Sequence, residues 1–354
     1  MRHFATTILF ALLGLGSAGL LCGDEANWEE VNLEAVLLHN QGRYEEALKA
    51  AEKALETAQY KFGFLHEKTF RALMNLAEIH LSLKHPEQSE HLYKKALALV
   101  EETKGDENDR MALVLAKLAR LHQQQGRNDL AESLFLRTLS IKEKIFGAEH
   151  ANLADVLKSL AKCYTAQGKL SEAEPLYRRA FALVEKSYGK DHLYLAASAK
   201  DLGTVYMGLG RYRDAEHYFG RALTTLEQSY GSQHPHLVIA LSNLAKAHSA
   251  EGAHREADSL LRRAIEINRK AFGSEHPLVA SSLVTLGSAC TRSQDYPPAE
   301  IAYKEALEIT EKYYGTKSPQ AIKIRESLIA LYGRMGKEKE VARLQARPES
   351  GSAH

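Results

Sequence analysis

Charge of one sign is the first thing the sequence lacks. Lys and Arg number 46 against 45 Asp and Glu, a formal net charge of +1. General nucleic-acid binding draws on a clear basic excess, so it finds no support here. Cysteine is scarce, at 3 in 354 residues, and proline contributes 8. A disulfide scaffold and a collagen-like chain are both excluded. A single Trp and 8% aromatic residues leave no stacking platform for bases. What remains is 45% hydrophobic and 26% charged, the composition of an ordered globular chain.

The N-terminus stands apart. After Met1-Arg2-His3, Phe4 to Cys22 carries no charge, and Ile8 to Leu15 forms its apolar centre. A basic start, an apolar run and small residues after it describe a secretory leader. Residues 1–23 therefore read as a signal peptide or N-terminal anchor. Gly16-Ser17-Ala18 suits cleavage after Ala18, and Gly23 offers a second point. Cys22 raises acylation as a lipoprotein, although Leu21 precedes it where a lipobox takes a small residue. The stretch is also near the ~20 residues that span a bilayer, so a retained anchor is a third fate. All three export the rest of the chain: periplasmic, secreted or membrane-anchored. Gly14 to Gly19 matches G-x-G-x-x-G, but the strand, helix and distant acid of a dinucleotide site are missing.

One period organises the rest of the chain. Gly63, Gly105, Gly147, Gly189, Gly231, Gly273 and Gly315 are spaced by 42. Offset by 21 runs Gly42, Lys84, Gly126, Gly168, Gly210, Gly252, Gln294 and Gly336. Such a ruler is a repeat signature. Between the marks the apolar spacing is three and four, as in Leu153, Val156, Leu157, Leu160, Ala161 and Tyr164. Each unit thus reads as a first helix, a tight turn, a second helix and a longer turn, with no strand signal. Small residues recur on the second helix at Ala47, Ser89, Ala131, Ala173, Ala215, Ala257 and Ala299. A second small column runs Ala54, Ala96, Thr138, Ala180, Ala222, Ala264 and Ala306. Large residues alternate with them at Tyr93, Phe135, Tyr177, Phe219, Leu261 and Tyr303.

The run Leu157 to Tyr164, then Gln167-Gly168-Lys169, then Glu172 to Ala180 resembles a tetratricopeptide repeat (TPR). The 42-residue period and the Gly-x-x-His-Pro linker resemble the kinesin-light-chain type of that family. The resemblance covers about Asn27 to Gln345. It implies an all-α fold, a right-handed superhelical α-solenoid of helix-turn-helix repeats over residues 24–347. Seven full units and a shortened eighth are expected, with a disordered tail over 348–354. No heptad segment of the kind that ties kinesin light chains to a motor is seen, so only the module is carried over.

Chemistry is hard to place on this chain. Cys163 and Cys290 lie three repeats apart, too far for a disulfide, and read as small buried hydrophobes. Most of the 16 His follow the repeat: His66, His150, His192, His234 and His276 share one linker position. His80, His122 and His248 share a first-helix position with Tyr164, Tyr206 and Tyr332, as wedges between helices. No metal-ligand spacing, nucleophile elbow or phosphate loop appears, so no catalytic residue, metal or cofactor is assigned. Glu45-Glu46 and Glu101-Glu102 on second helices read as solvated charge.

In the resembled family the first helices line a concave groove. Carried to this sequence, that face holds Arg120, Lys158, Lys162, Lys200 and Lys246, a basic patch in an otherwise neutral chain. Asn75 and Asn243 match an Asn that the family uses to hold extended peptide backbone. The plainer alternative is that these lysines keep the face soluble, or pair with carboxylates such as Glu78 and Asp155. A micromolar complex needs about 8 kcal/mol, while exposed ion pairs give ~0.2–1 kcal/mol each. Apolar anchors must therefore contribute, with Met207 and Leu81 as candidates. The expectation is a non-enzymatic scaffold that binds a protein or peptide partner, through an acidic-aromatic segment in the basic groove. An exported structural or assembly factor at an envelope or membrane, working through convex or end surfaces, is the alternative.

Overall fold

Apolar residues three and four apart give each segment one stripe to bury, and a helix can bury it only against a neighbour. The computed structural model describes residues 23–104 and 108–345, with side chains from Trp28 onward except Lys104. Of the leader or anchor expected over 1–23, residues 1–22 lie outside the described residues, as do the tail over 348–354 and Gly105, and Gly23 opens the first helix. Among those described there are sixteen α-helices and no strand, arranged as eight hairpins.

The first three hairpins are α1 (Gly23–Asn40) with α2 (Tyr44–Phe62), α3 (Glu67–Ser82) with α4 (Pro86–Lys104), and α5 (Asp109–Gln124) with α6 (Asn128–Phe146). They form one compact unit that ends at Gly147. A second unit starts at Ala148 and holds five hairpins. A 3-10 turn, Ala151–Leu153, leads into α7 (Ala154–Ala166), which pairs with α8 (Leu170–Tyr188). Next come α9 (Leu193–Gly208) with α10 (Tyr212–Tyr230), and α11 (Leu237–Glu251) with α12 (His254–Phe272). The last are α13 (Pro277–Arg292) with α14 (Tyr296–Tyr314), and α15 (Pro319–Arg334) with the short α16 (Glu338–Gln345). The glycine period runs through the boundary at Gly147 unchanged.

Both small columns on the second helices are buried, none of their members more than 2% exposed. Their lack of bulk lets paired helices approach, and the alternating large residues, such as Tyr93 and Phe135, fill what is left. In the first unit Phe70, Leu73, Leu76, Leu115 and Leu118 join them in the core; in the second, Leu261, Leu283, Leu286 and Leu328 do.

The two glycine series end helices in different ways. Within a hairpin, the residue after the turn mark donates its N–H five residues back, as Arg127 does to His122 O at 2.9 Å and Lys169 to Tyr164 O at 2.8 Å. This is the Schellman closure, and its mark takes a positive φ. Between hairpins, the linker position supplies an N-cap. The Nδ1 of His66, His150, His192, His234 and His276 accepts from the backbone N–H two residues on, at 3.1–3.2 Å. Asn108 and Ser318 stand at the same register and cap with a side-chain oxygen. Imidazoles of this column also stack on the aromatic residue that closes the preceding helix, such as Phe62 on His66 and Tyr230 on His234. The linker histidines are thereby structural.

Candidate functional site

A hairpin stack leaves one side of every first helix without a partner helix. In the second unit the first helices present Lys162, Lys200, Thr204 and Lys246 at exposed positions, with Lys158 and Asn243 half-buried. Residues four apart on one helix share a face, which is why Lys158 and Lys162 stand together on α7. Asn75 and Arg120 lie on α3 and α5, in the first unit.

The cations differ in how freely they are offered. Lys158 Nζ sits 3.0 Å from Asp155, and Lys200 Nζ 3.3 Å from Asp201, each on its own helix. Lys162, Lys246 and Arg120 have no ion-pair partner among the described residues. Asn75 Nδ2 already donates to Asn32 Oδ1 at 2.9 Å, so that amide spans two first helices. In the first unit Glu78 takes Lys117 at 2.6 Å and accepts a hydrogen bond from the Tyr93 hydroxyl. Burial pushes the Glu78 carboxyl up, but those two bonds outweigh it and hold it below the usual range. The basic character of the face therefore belongs chiefly to the second unit.

Two hollows on that unit were not legible from the register alone. The C-terminal half of α13 and the adjoining part of α11 enclose a small one of about 80 Å³, lined by Lys246, Arg292, Thr285 and Ser288. The N-terminal half of α13 and α15 enclose a larger one of about 420 Å³. Its walls are apolar, from Pro277, Leu278, Val284, Ile324 and Tyr314, with Lys323 among the lining residues. Leu278 is 45% exposed and Tyr314 49%. The expected apolar anchors lie elsewhere. Leu81 packs on the core of the first unit, and Met207 is half-buried near the end of α9. Extending the column of Lys158 and Lys200 by two more 42-residue steps, through Ser242 to Val284, is the signal that leads to the larger hollow.

Cys163 and Cys290 are buried and form no disulfide among the described residues. Among the described residues no group of three or more His, Cys, Asp or Glu is placed to hold a metal ion. No helix there is long and apolar enough to cross a membrane.

Comparison with known proteins points the same way. The sequence profile of the tetratricopeptide repeat matches residues 29–102, 110–186, 167–228, 195–270 and 239–312. Among curated proteins none matches the sequence. Among solved structures, a kinesin-light-chain candidate from Podosopora anserina with nearly identical TPR-like repeats is 27% identical. The match covers 56% of this chain and 93% of that one, with a TM-score of 0.53. BtubC (BKLC) from P. vanneervenii is 23% identical over 65% of this chain and 92% of its own, TM-score 0.57. The apo quorum sensor NprR from B. thuringiensis is 15% identical, with coverage of 97% and 91% and a TM-score of 0.66. At those identities the last two show a shared fold alone.

Proposed function

Because the chain belongs to the tetratricopeptide repeat family, whose fold generally mediates protein–protein interaction, we propose that it is a non-enzymatic scaffold that binds an extended peptide segment of a partner on its first-helix face. One observation carries the choice of face and ligand. In the second unit, Lys162 and Lys246 have no ion-pair partner among the described residues, and the 42-residue register puts Val284, on the wall of the apolar hollow with Leu278 and Ile324, in the column of Lys158 and Lys200. An acidic segment with an aromatic or aliphatic anchor complements both. The anchor supplies the free energy that exposed ion pairs cannot, at ~25 cal/mol per Å² of apolar area buried.

The test uses a fluorescein-labelled peptide with one Trp flanked by Asp and Glu, read by anisotropy. The full chain is expected to bind it saturably. A Lys162→Glu, Lys200→Glu, Lys246→Glu variant is expected to lose binding while its circular dichroism is unchanged. Retained binding by that variant would rule out the face. The leader-like stretch Phe4 to Cys22 supports a further reading, that the scaffold works outside the cytoplasm. Mass spectrometry of the mature N-terminus distinguishes cleavage, acylation and retention, and a cytoplasmic full-length chain with an unmodified start would refute export.

A further inference from the structure

Three junctions between successive hairpins are built alike. Glu90, Glu174 and Glu300 each stand on a second helix and receive a cation from four residues on: Lys94 at 2.7 Å, Arg178 at 3.9 Å and Lys304 at 2.5 Å. A second cation reaches each from the start of the next second helix: Arg127 at 2.6 Å, Arg211 at 3.0 Å and Lys337 at 2.7 Å. The wedge position on the first helix between them supplies a ring, His122, Tyr206 or Tyr332. The hydroxyls of Tyr206 and Tyr332 donate to Glu174 and Glu300, both at 3.1 Å. Arg211 and Lys337 also lie over those rings, 4.5 and 5.5 Å from the centroids. Each junction thus holds one acid, two cations and a ring.

The junction between the α11/α12 and α13/α14 hairpins differs at each of these places. The 42-residue register puts Asp258 where the acid stands, Cys290 at the wedge and Asp295 where the second cation stands. Asp258 keeps its own-helix partner, Arg262, at 2.6 Å. At the places compared the balance is therefore reversed, to two acids and one cation, Arg262, although Arg255 also lines the space between, and a thiol stands where a ring fills the others. A cavity of about 260 Å³ takes up the difference, lined by Ser249, Asp258, Cys290 and Asp295, with Arg255 and His254 at exposed positions on it. Ser249 is 4% exposed and lines the cavity, and its hydroxyl oxygen, sealed from solvent, has no hydrogen-bond partner among the described residues. A buried hydroxyl left unpaired is costly, so this junction is less well satisfied than the three built on a ring. Burial first, then Asp258 and Asp295, pushes the Cys290 thiol up to about 11, so the wall facing the acids stays neutral.

We propose that this cavity is a binding site for a guanidinium group, presented as an arginine side chain of a partner protein. A guanidinium restores what the junction lacks: a planar body at the wedge and a positive charge opposite Asp295. Its fork of N–H groups suits a carboxylate better than a lysine ammonium does. Ser249 also lines the small hollow that holds Lys246, but Asp258, Cys290 and Asp295 do not, so variants at Cys290 and Asp295 test this site apart from the peptide reading.

The experiment titrates the full chain with N-acetyl-arginine methylamide, and with the citrulline analogue as the uncharged isostere, by NMR chemical shifts. Saturable binding of the arginine probe is expected, at least about tenfold tighter than the citrulline probe. Asp295→Lys, at an exposed position, is expected to weaken the arginine probe by at least about tenfold with the thermal midpoint held or raised. Cys290→Tyr, which copies Tyr206 and Tyr332, is expected to fill the cavity, raise the midpoint and abolish binding. Equal binding of the two probes, no saturable binding to the natural chain, or unchanged binding by Asp295→Lys would each overturn the proposal.

Discussion

The two glycine series look alike in the sequence and differ in what the backbone demands. Lys84 and Gln294 replace glycine at within-hairpin marks, and both sit at φ 61°. Gly252 in that series has φ 86° and ψ 4°, the left-handed well, which other residues enter at a modest cost. The linker glycines lie elsewhere: Gly273 has φ 89° and ψ 156°, a region essentially reserved for glycine. That is the physical reason why only the first series tolerates substitution here. Lys84→Gly should stabilise the chain by ~0.5–1 kcal/mol, and Gly273→Ala should destabilise it by ~1–3 kcal/mol although its Cβ would meet nothing within 4 Å. Urea unfolding of the full chain reads both signs. Titration adds a second test at this scale. Hydrogen bonds from Lys304 and Lys337 hold the Glu300 carboxyl down at about 2. A depressed carboxylate contributes stability above its unfolded value, near ~4.3, and loses it as pH falls through the folded one. The thermal midpoint should drop between those values, and Glu300→Gln should show a shallower drop.

Helix pairing is where volume replaces conformation as the constraint. Gly203 has an ordinary helical backbone, yet a Cβ there would stand 2.5 Å from the Phe219 ring. The same register on α11 and α12 holds Ala245 with Leu261, a larger residue on one helix matched by a smaller one on the other. Gly203→Ala should cost ~1–3 kcal/mol by overpacking, and adding Phe219→Leu should recover most of it. Denaturation of the single and double variants measures the coupling, and additive effects would refute the contact. At this scale the sequence was highly legible. The 3.6-residue periodicity, the small columns and the turn glycines placed each hairpin, because each acts within one or two turns of helix. The role of the linker histidines was not legible, since an imidazole that caps a helix and stacks on a ring looks, in sequence, like a metal ligand.

At the scale of the whole molecule, the chain resolves into one unit of three hairpins and another of five. In a repeat array stability is approximately a sum over repeats and their nearest-neighbour contacts, and about three repeats are needed for a fold to hold. A fragment of residues 148–354 should therefore keep its helical circular dichroism and a cooperative unfolding transition. A fragment limited to the last two hairpins should lose both. Of the expected site, the column of cations was visible in the sequence because the register is regular. Which of them are committed to partners was not. Asp155 and Asp201 take Lys158 and Lys200, while Lys162 and Lys246 meet no carboxylate among the described residues, and this depends on side-chain reach rather than on spacing.

The amino-acid order alone determined the repeat, its length, its helix pairs and its neutral overall charge, because glycine conformation, helical periodicity and composition act locally or by simple sum. Tertiary structure alone decided where hollows open, as at Cys290 and beside Leu278, and which charges are spent internally. Those outcomes turn on volumes and distances between helices contributed by different repeats, and no single repeat contains that information.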